Sequence, residues 1–427
     1  MKASRLTTEK RVDSFNNRGL HIQAYGERND QPQRLIEIVE ASVTGKSCCE
    51  IYSKFIAGRG FRDADFYKAK TDSKGTTVDS LLKAVSDDYA HFGGFAIHVN
   101  YNALYEIVSA SHIPFEWIRF EELDENFKFN RLAIHPDWGR RFTKLRQFRN
   151  KDIEFLHFFN PDPEVIEKEV AEAGGWNGYK GQILYYSNAG ERVYPNPIYE
   201  AAVTDMSNEE GLSNITHRNV RHNFLPSGMI IDHNNNSNSD DQEEELKNEI
   251  REFQGDMKAG KLLYINLQNG EEKPEFVPFD TKNFDKDFTN AEDKTPGIIG
   301  RAFTQPPILR AEDVGANFGA DLMKNAYDFY NSITEPERIV LSAQFKRVFD
   351  LWHDQTINVE KDFDILPLFY RVNQTLAERL GANLESVLAI ISDTAKSERA
   401  KSVILSVVYG LDDDEIQQLI EGTRNDN

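Results

Sequence analysis

The sequence has only two cysteines among its 427 residues, and they are neighbours, Cys48 and Cys49. Adjacent residues rarely bridge each other, and two ligands cannot close a tetrahedral zinc site. Free thiols in a reducing compartment are therefore expected. Positive charge is also scarce. Fifty Lys and Arg stand against 70 Asp and Glu, a net of −20. A protein that grips a phosphate backbone needs the opposite balance to displace counterions. Long apolar runs are absent: the longest is around "VILSVVYG", too short to span a bilayer, so no membrane partner is expected. The start, "MKASRLTTEKRVDSF", lacks the apolar core of a signal peptide, and a soluble cytosolic chain is expected. No HExxH, CxxC or Gly-x-Ser-x-Gly pattern occurs. No catalytic residue, metal ligand or cofactor is therefore assigned.

There is ample material for cores. Hydrophobic residues make up 39%, including 28 Phe and 16 Tyr, and the length predicts two to four structural units. Residues Leu35 to Ile56 carry an apolar stripe at three- and four-residue steps and predict one helix, ended by "GRG" at 58–60. Val78, Leu81, Leu82, Val85, Tyr89 and Phe92 predict a second, stopped by Gly93-Gly94. Strands are predicted at "GFAIHVNYN", "YEIVSASHIPFEWIRF", "FKFNRLAIHP", "DIEFLHFF" and "GQILYYS". Residues 1 to about 195 thus read as an α+β unit.

The punctuation then changes. "YPNP" places Pro197 at a favoured first helical position, and residues 197–223 predict a helix roughly 40 Å long, with Gly211 inside it. "HNNNSNSDDQ" at 233–242 is a polar loop. Ser239 with Gln242 forms a capping-box pattern ahead of a short acidic helix to about Gln254. "KLLYINLQNGEEKPEFVPF" reads as two strands. Phe284 to Phe303 reads as a helix that Pro296 must interrupt or kink. Leu322, Ala326, Phe329, Tyr330 and Ile333 then form a stripe. Leu341, Phe345, Val348, Phe349 and Trp352 repeat its steps after Pro336. This predicts one kinked helix or a helix pair. The tail from 363 to 421 reads as three or four short helices.

Several stretches look like chemistry. Gly45-Lys46-Ser47 ends like a P-loop, but the required glycine five positions earlier is Glu40, and no strand precedes it. "GRRFTKLRQFRNK" at 139–151 interleaves Arg140, Arg141, Lys144 and Arg146 with Phe142 and Phe148. That pattern can bind a single strand or face an acidic neighbour. "GLDDDE" at 410–415 lacks the alternating ligands of a calcium loop. His217 and His222 are five apart, about 140° around a helix, so they share no face. Arg218 and Arg221 lie in the last turns of the predicted 197–223 helix, where cations complement the dipole.

The order of the segments "YPNPIYEAA", "NFLPSG", "GKLLYINLQNG" and "AFTQPPIL", with its following helix and Pro336, resembles the portal proteins of tailed bacteriophages and prophages. The resemblance spans roughly residues 35 to 353, and the Asn-rich stretch 233–239 departs from it. It implies an α+β subunit in six parts. These are a wing at 1–196, a first stem helix at 197–223 and a clip at 224–280. A returning stem helix at 281–303, a tunnel loop and kinked helix at 304–356, and a helical crown at 357–427 complete it. It implies a ring of twelve copies at one capsid vertex, through which a terminase motor packages double-stranded DNA and which later joins head to tail. The implied partners are the other copies, the terminase, a head–tail adaptor and the major capsid or scaffold protein. The implied location is the virion, and host cytoplasm during assembly. On this reading the channel segment holds Thr304, Gln305, Pro306, Pro307, Arg310, Glu312 and Asp313. The clip docks partners through Asp240, Asp241, Glu243, Glu244, Glu245 and Glu249. Arg218 and Arg221 face acids of a neighbouring chain where stem meets clip, with DNA contact as the alternative.

The composition agrees with this physically. A portal must let a polyanion slide, and an acidic wall avoids deep wells along the path. Residues 240–259 hold eight acids against Lys247, Arg251 and Lys258, a rim suited to basic faces of partners. Two rival readings stand beside it. One is a nucleic-acid-processing enzyme using the 139–151 patch, and the other a head-associated adaptor or scaffold that does not conduct DNA.

Overall fold

The computed structural model describes residues 14–17, 19–123, 128–138, 152–190, 192–221, 228–231, 275–278, 284–310, 320–354 and 362–370. It also describes positions 387, 389–391, 401–402, 404–405 and 416. The chain divides into two compact units, Met1–Phe369 and Tyr370–Asn427. The fold is mixed helix and sheet, in agreement with the α+β expectation.

The first unit is built on an eight-stranded sheet. Its strands are β1 (Ser14–Asn17), β2 (Ile22–Tyr25), β3 (Gly94–Tyr101), β4 (Ile107–His112), β5 (Ile118–Glu121), β6 (Arg131–Ile134), β7 (Glu154–Phe158) and β8 (Gln182–Ser187). The spatial order is β1-β2-β5-β6-β7-β8-β3-β4. All neighbours are antiparallel except β7 and β8, which are joined through helix α5 (Pro163–Glu172). Strand β3, next to the sheet edge formed by β4, registers Ile97 against Leu184 of β8 and His112 of β4. Its apolar residues Phe95, Ile97 and Val99 are all fully buried. The strands predicted within residues 94–187 are present, and the strand predicted at 261–267 lies outside the described residues. β1 and β2 are not foreseen, because β2 is buried along its whole length and shows no alternation.

Three helices, α1 (Gln31–Ala41), α2 (Val43–Ala57) and α4 (Val78–Phe92), supply most of the core packed with the sheet. The short α3 (Ala64–Lys68) precedes α4. α4 follows its pattern closely. Thr77 caps its start with a reciprocal Ser80 bond, Gly93 ends it at φ +74°, and Val78, Leu81, Leu82, Val85, Tyr89 and Phe92 are all buried.

Two expectations are corrected here. The single helix over 35–56 is two helices. Ser42 adopts extended backbone (φ −96°, ψ 117°), and its hydroxyl accepts the Gly45 amide at 2.9 Å, so the chain restarts inside an unbroken apolar stripe. The strand over 105–120 is also divided. Pro114 and a 3-10 turn at Phe115–Trp117 separate β4 from β5. There the buried Asp88 accepts the Phe115 amide at 3.1 Å.

Helix α6 (Val203–Arg221) begins later than Pro197. A bond from the Glu200 amide to the Pro197 carbonyl and a 3-10 turn at Glu200–Ala202 come first. Strand β9 (Gly228–Ile231) pairs antiparallel with β10 (Glu275–Pro278). Helix α7 (Phe284–Ala302) returns and packs along α6. It carries Pro296 in its interior without a break; beside the lost donor, the Thr295 hydroxyl bonds the Ala291 carbonyl at 2.7 Å. Helices α8 (Ala320–Ile333) and α9 (Glu335–Phe349) are separated by Thr334 alone. The helical signal at this proline is therefore a near-continuous pair. Its second stripe is wholly buried, whereas Leu322 and Phe329 of the first are 39% and 49% exposed. In the second unit the described residues of the helical tail bury Val387, Ile391, Leu405 and Ile416.

Candidate functional site

The joint where α6 leaves the sheet-and-helix body is built on the Gly45-Lys46-Ser47 stretch. α2 starts at Val43, so its first amides point outward and need acceptors. The Glu209 carboxylate of α6 supplies one, accepting the Thr44 amide at 3.2 Å and the Thr44 hydroxyl at 2.6 Å. The Ser42 hydroxyl donates to the same carboxylate. A negative group at a helix N-terminus also meets the favourable end of the dipole. Gly45 is required by closeness. A Cβ there would sit 2.8 Å from the Ser42 hydroxyl and 3.0 Å from the Met206 sulfur of α6. Lys46 pairs with Glu40 on the surface. The nucleotide-loop resemblance is thus replaced by a packing role. The helix N-terminus that a phosphate would use is filled by Glu209.

The second joint mounts the segment after α7. Thr304 turns the chain with φ +54°, and the Gln305 amide reaches back to the Gly300 carbonyl at 3.0 Å. The Gln305 side chain is 5% exposed and spans two helices. Its amide donates to the Cys48 carbonyl at 2.6 Å and to the Tyr330 hydroxyl at 3.0 Å. Tyr330 in turn donates to the Phe303 carbonyl at 3.1 Å, and burial pushes its phenol pKa well up. Arg310, at the end of a 3-10 turn over Pro307–Arg310, donates to the Gln305 carbonyl at 2.7 Å. Its guanidinium lies against Gly300, where a Cβ would come within 1.9 Å of it. Only glycine permits that approach.

The third joint fixes the α8–α9 junction. Arg338 donates to the Phe55 carbonyl at 3.0 Å, the Thr334 hydroxyl at 2.7 Å and the Asn331 carbonyl at 2.6 Å. Its surroundings lower its pKa through burial. Glu337 accepts the Tyr52 hydroxyl at 3.0 Å. Together the three joints tie α6, the 304–310 segment and the α8–α9 pair onto α2.

The structure places the sequence-expected residues unevenly. Thr304 and Pro307 are exposed, Pro306 and Arg310 are half-buried, and Gln305 is buried. The Gln305 expectation is corrected, since its side chain is a strut inside the mount and does not reach solvent. Glu312 and Asp313 lie outside the described residues. So do Asp240, Asp241, Glu243, Glu244, Glu245 and Glu249, and the basic stretch with Arg140, Arg141, Lys144 and Arg146. Arg218 and Arg221 are on α6, but their side chains lie outside the described residues. Glu209, Tyr330 and Arg338 were not singled out from sequence. Their signal is weak, because an acid in a polar helix and a cation in an amphipathic one are ordinary.

Among the described residues, no group of three or more His, Cys, Asp or Glu is placed to hold a metal. Among them, too, no helix is long and apolar enough to cross a membrane. Cys48 and Cys49 are buried and form no disulfide, and burial raises the Cys49 thiol pKa.

No family model matches the chain, and no curated protein matches it. Among solved structures, the chain is similar to one in the virion of a native gene transfer agent particle. Identity is 14% and the TM-score 0.46, over 90% of this chain and 94% of that one. It is similar to one in the neck of the native gene transfer agent particle computed with C12 symmetry. There identity is 15% and the TM-score 0.44, over 88% and 93%. It is also similar to an HK97 family phage portal protein from Corynebacterium diphtheriae, at 12% identity and a TM-score of 0.40, over 80% and 94%.

Proposed function

We propose that this chain is a portal subunit of a tailed bacteriophage or prophage. Copies of it form a ring at one capsid vertex, DNA enters through the ring under a terminase motor, and the ring joins head to tail. The observation that carries the reading is an out-and-back stalk. α6 leaves the body, α7 returns packed along it, and β9 and β10 pair the segments beyond them. The body at 14–190 then serves as wing, α6 and α7 as stem, and the segment after the Gln305 mount as tunnel loop. A stalk whose outgoing and returning segments pair beyond its helices suits a subunit that presents one end to capsid and the other to motor and adaptor. The formal charge of −20 supports a channel wall that repels DNA instead of holding it. No catalytic step is assigned to the chain. The hydrogen bonds of Glu209, Gln305 and Arg338 at the three joints run between helices, which is a structural use of these side chains.

The channel placement has a direct test. Thr304→Lys with Pro307→Lys adds two cations per subunit at exposed positions of the mount. Rings should form normally, and DNA packaged per particle in a fixed time should fall several-fold, more at low salt than at high. Unchanged packaging would place this segment away from the DNA path.

A further inference from the structure

At one end of the sheet the chain keeps apolar side chains uncovered, and it spends backbone strain to do so. β3 and β4 are joined by the tight turn Asn102–Glu106. The Asn102 amide bonds the Glu106 carbonyl at 2.9 Å, and the Tyr105 amide bonds the Asn102 carbonyl at 3.0 Å. The Asn102 side chain accepts the Leu104 and Glu106 amides at 2.8 and 3.0 Å. Such a turn needs one residue with positive φ, and here it is Tyr105 at +61°. Glycine or asparagine would hold that conformation at less cost. The tyrosine ring is used instead against Trp176, at 6.2 Å between centroids, and Trp176 meets Tyr179 edge-on at 5.9 Å.

Trp176 is itself held by a wound turn after α5. The Gly175 amide bonds the Val170 carbonyl at 2.8 Å, and the Gly178 and Tyr179 amides bond the Gly175 carbonyl at 3.0 and 3.1 Å. Beneath it, the Tyr179 hydroxyl donates to the buried Glu169 carboxylate at 3.1 Å, which also accepts from Gln182 at 2.9 Å. The platform is thus rigid, yet Leu104 is 75% exposed and Trp176 39%, whereas Trp138 and Trp352 are 1% and 3% exposed. Its surroundings are acidic. Lys168 and Lys180 are each paired with a carboxylate, Glu172 and Glu154, and the half-buried Glu106 beside the turn adds negative charge with no cation paired to it among the described residues.

A strained residue beside an exposed apolar side chain and an exposed tryptophan is a feature of interaction sites, since neither contributes to stability. We propose that Leu104, Tyr105 and Trp176 form a docking platform for another protein, taking a segment in which an apolar side chain is flanked by lysine or arginine. The apolar side chain lies on the aromatic face, where a neighbouring cation gains from both the rings and the acids. This inference is independent of the ring and channel reading.

The test uses the full-length protein at physiological salt, with a synthetic peptide of alternating lysine and leucine as the probe. Tryptophan emission should shift to the blue saturably, and Trp176→Phe should abolish the shift. Affinity should fall at least about tenfold in Leu104→Asp and in Tyr105→Gly. Leu104→Asp should melt as the parent does, because the side chain at that position lies in solvent, so its loss of affinity cannot come from unfolding. Undiminished affinity in those variants would overturn the proposal. So would equally tight binding of oligolysine, which needs charge alone, or of a glutamate–leucine peptide, which needs apolar contact alone. A change in oligomeric mass on Leu104→Asp would also overturn it, by assigning the platform to a second copy of the chain.

Discussion

Between Val203 and Glu209, α6 is tied to the sheet-and-helix body by the buried Met206 and by the Glu209 carboxylate at the start of α2. Between Glu210 and His217 every side chain is exposed or half-buried, Ile215 included, and Gly211 has open space around it. A helix this polar gains little from its own chain beyond its contact with α7. The difference marks where the chain's own packing runs out. The body is finished by its own core. The outer stalk touches α7 and is otherwise open; on the proposed reading, neighbouring copies would cover it in a ring.

Substitutions can break this contrast, beginning with the sheet-and-helix body. Phe66 is fully buried and touches Phe61, Phe349 and Phe363 edge-on. Phe66→Ala should lower the unfolding free energy by about 3–5 kcal/mol in chemical denaturation. Glu209→Ala removes the link between the regions and leaves the Thr44 amide without its acceptor. It should cost about 1–3 kcal/mol, with Glu209→Gln losing less, and should loosen α6 in hydrogen exchange while the wing stays protected. Gly211→Ala should act in the opposite sense, stabilising the stalk by about 0.5–1 kcal/mol, because a methyl group there meets nothing in its own chain.

The smallest effect is one of pH, and it belongs to the sheet-and-helix body alone. His112 lies 2.6 Å from the buried Asp88. Burial pulls the imidazole pKa down, but the Asp88 hydrogen bond and charge outweigh this and raise it overall. Burial likewise raises the Asp88 pKa. Groups with raised folded-state values contribute stability below their unfolded pKa and lose it as pH rises through the folded one. The melting temperature should therefore decline as pH rises above about 6.5, the ordinary imidazole value. His112→Asn should flatten that slope, and hydrogen exchange of α6 should not follow it.

The legible parts of the fold were those fixed by local pattern. α4, β3 and β8 follow apolar period and glycine punctuation, and the α8–α9 pair follows its two stripes and Pro336. What stayed hidden depends on contacts between distant residues. The break at Ser42 lies inside a continuous stripe, because the reason for it, Glu209, is 167 positions away. Gln305 looked like a polar loop residue because its partners, Cys48 and Tyr330, come from two other helices. Leu322 and Phe329 fit a core stripe by spacing, yet they are exposed, since periodicity reports that a face is apolar and not what covers it. The joints that mount the stalk and the tunnel segment were therefore the least legible part of the candidate site.

The central claim is that the outer stalk is completed by other copies of the chain. The most direct measurement is the native mass of the purified full-length protein, taken across a dilution series. The expected result is a single closed species of about twelve chains that persists on dilution, with a central hole in electron images. A monomer or dimer persisting at high concentration would contradict it.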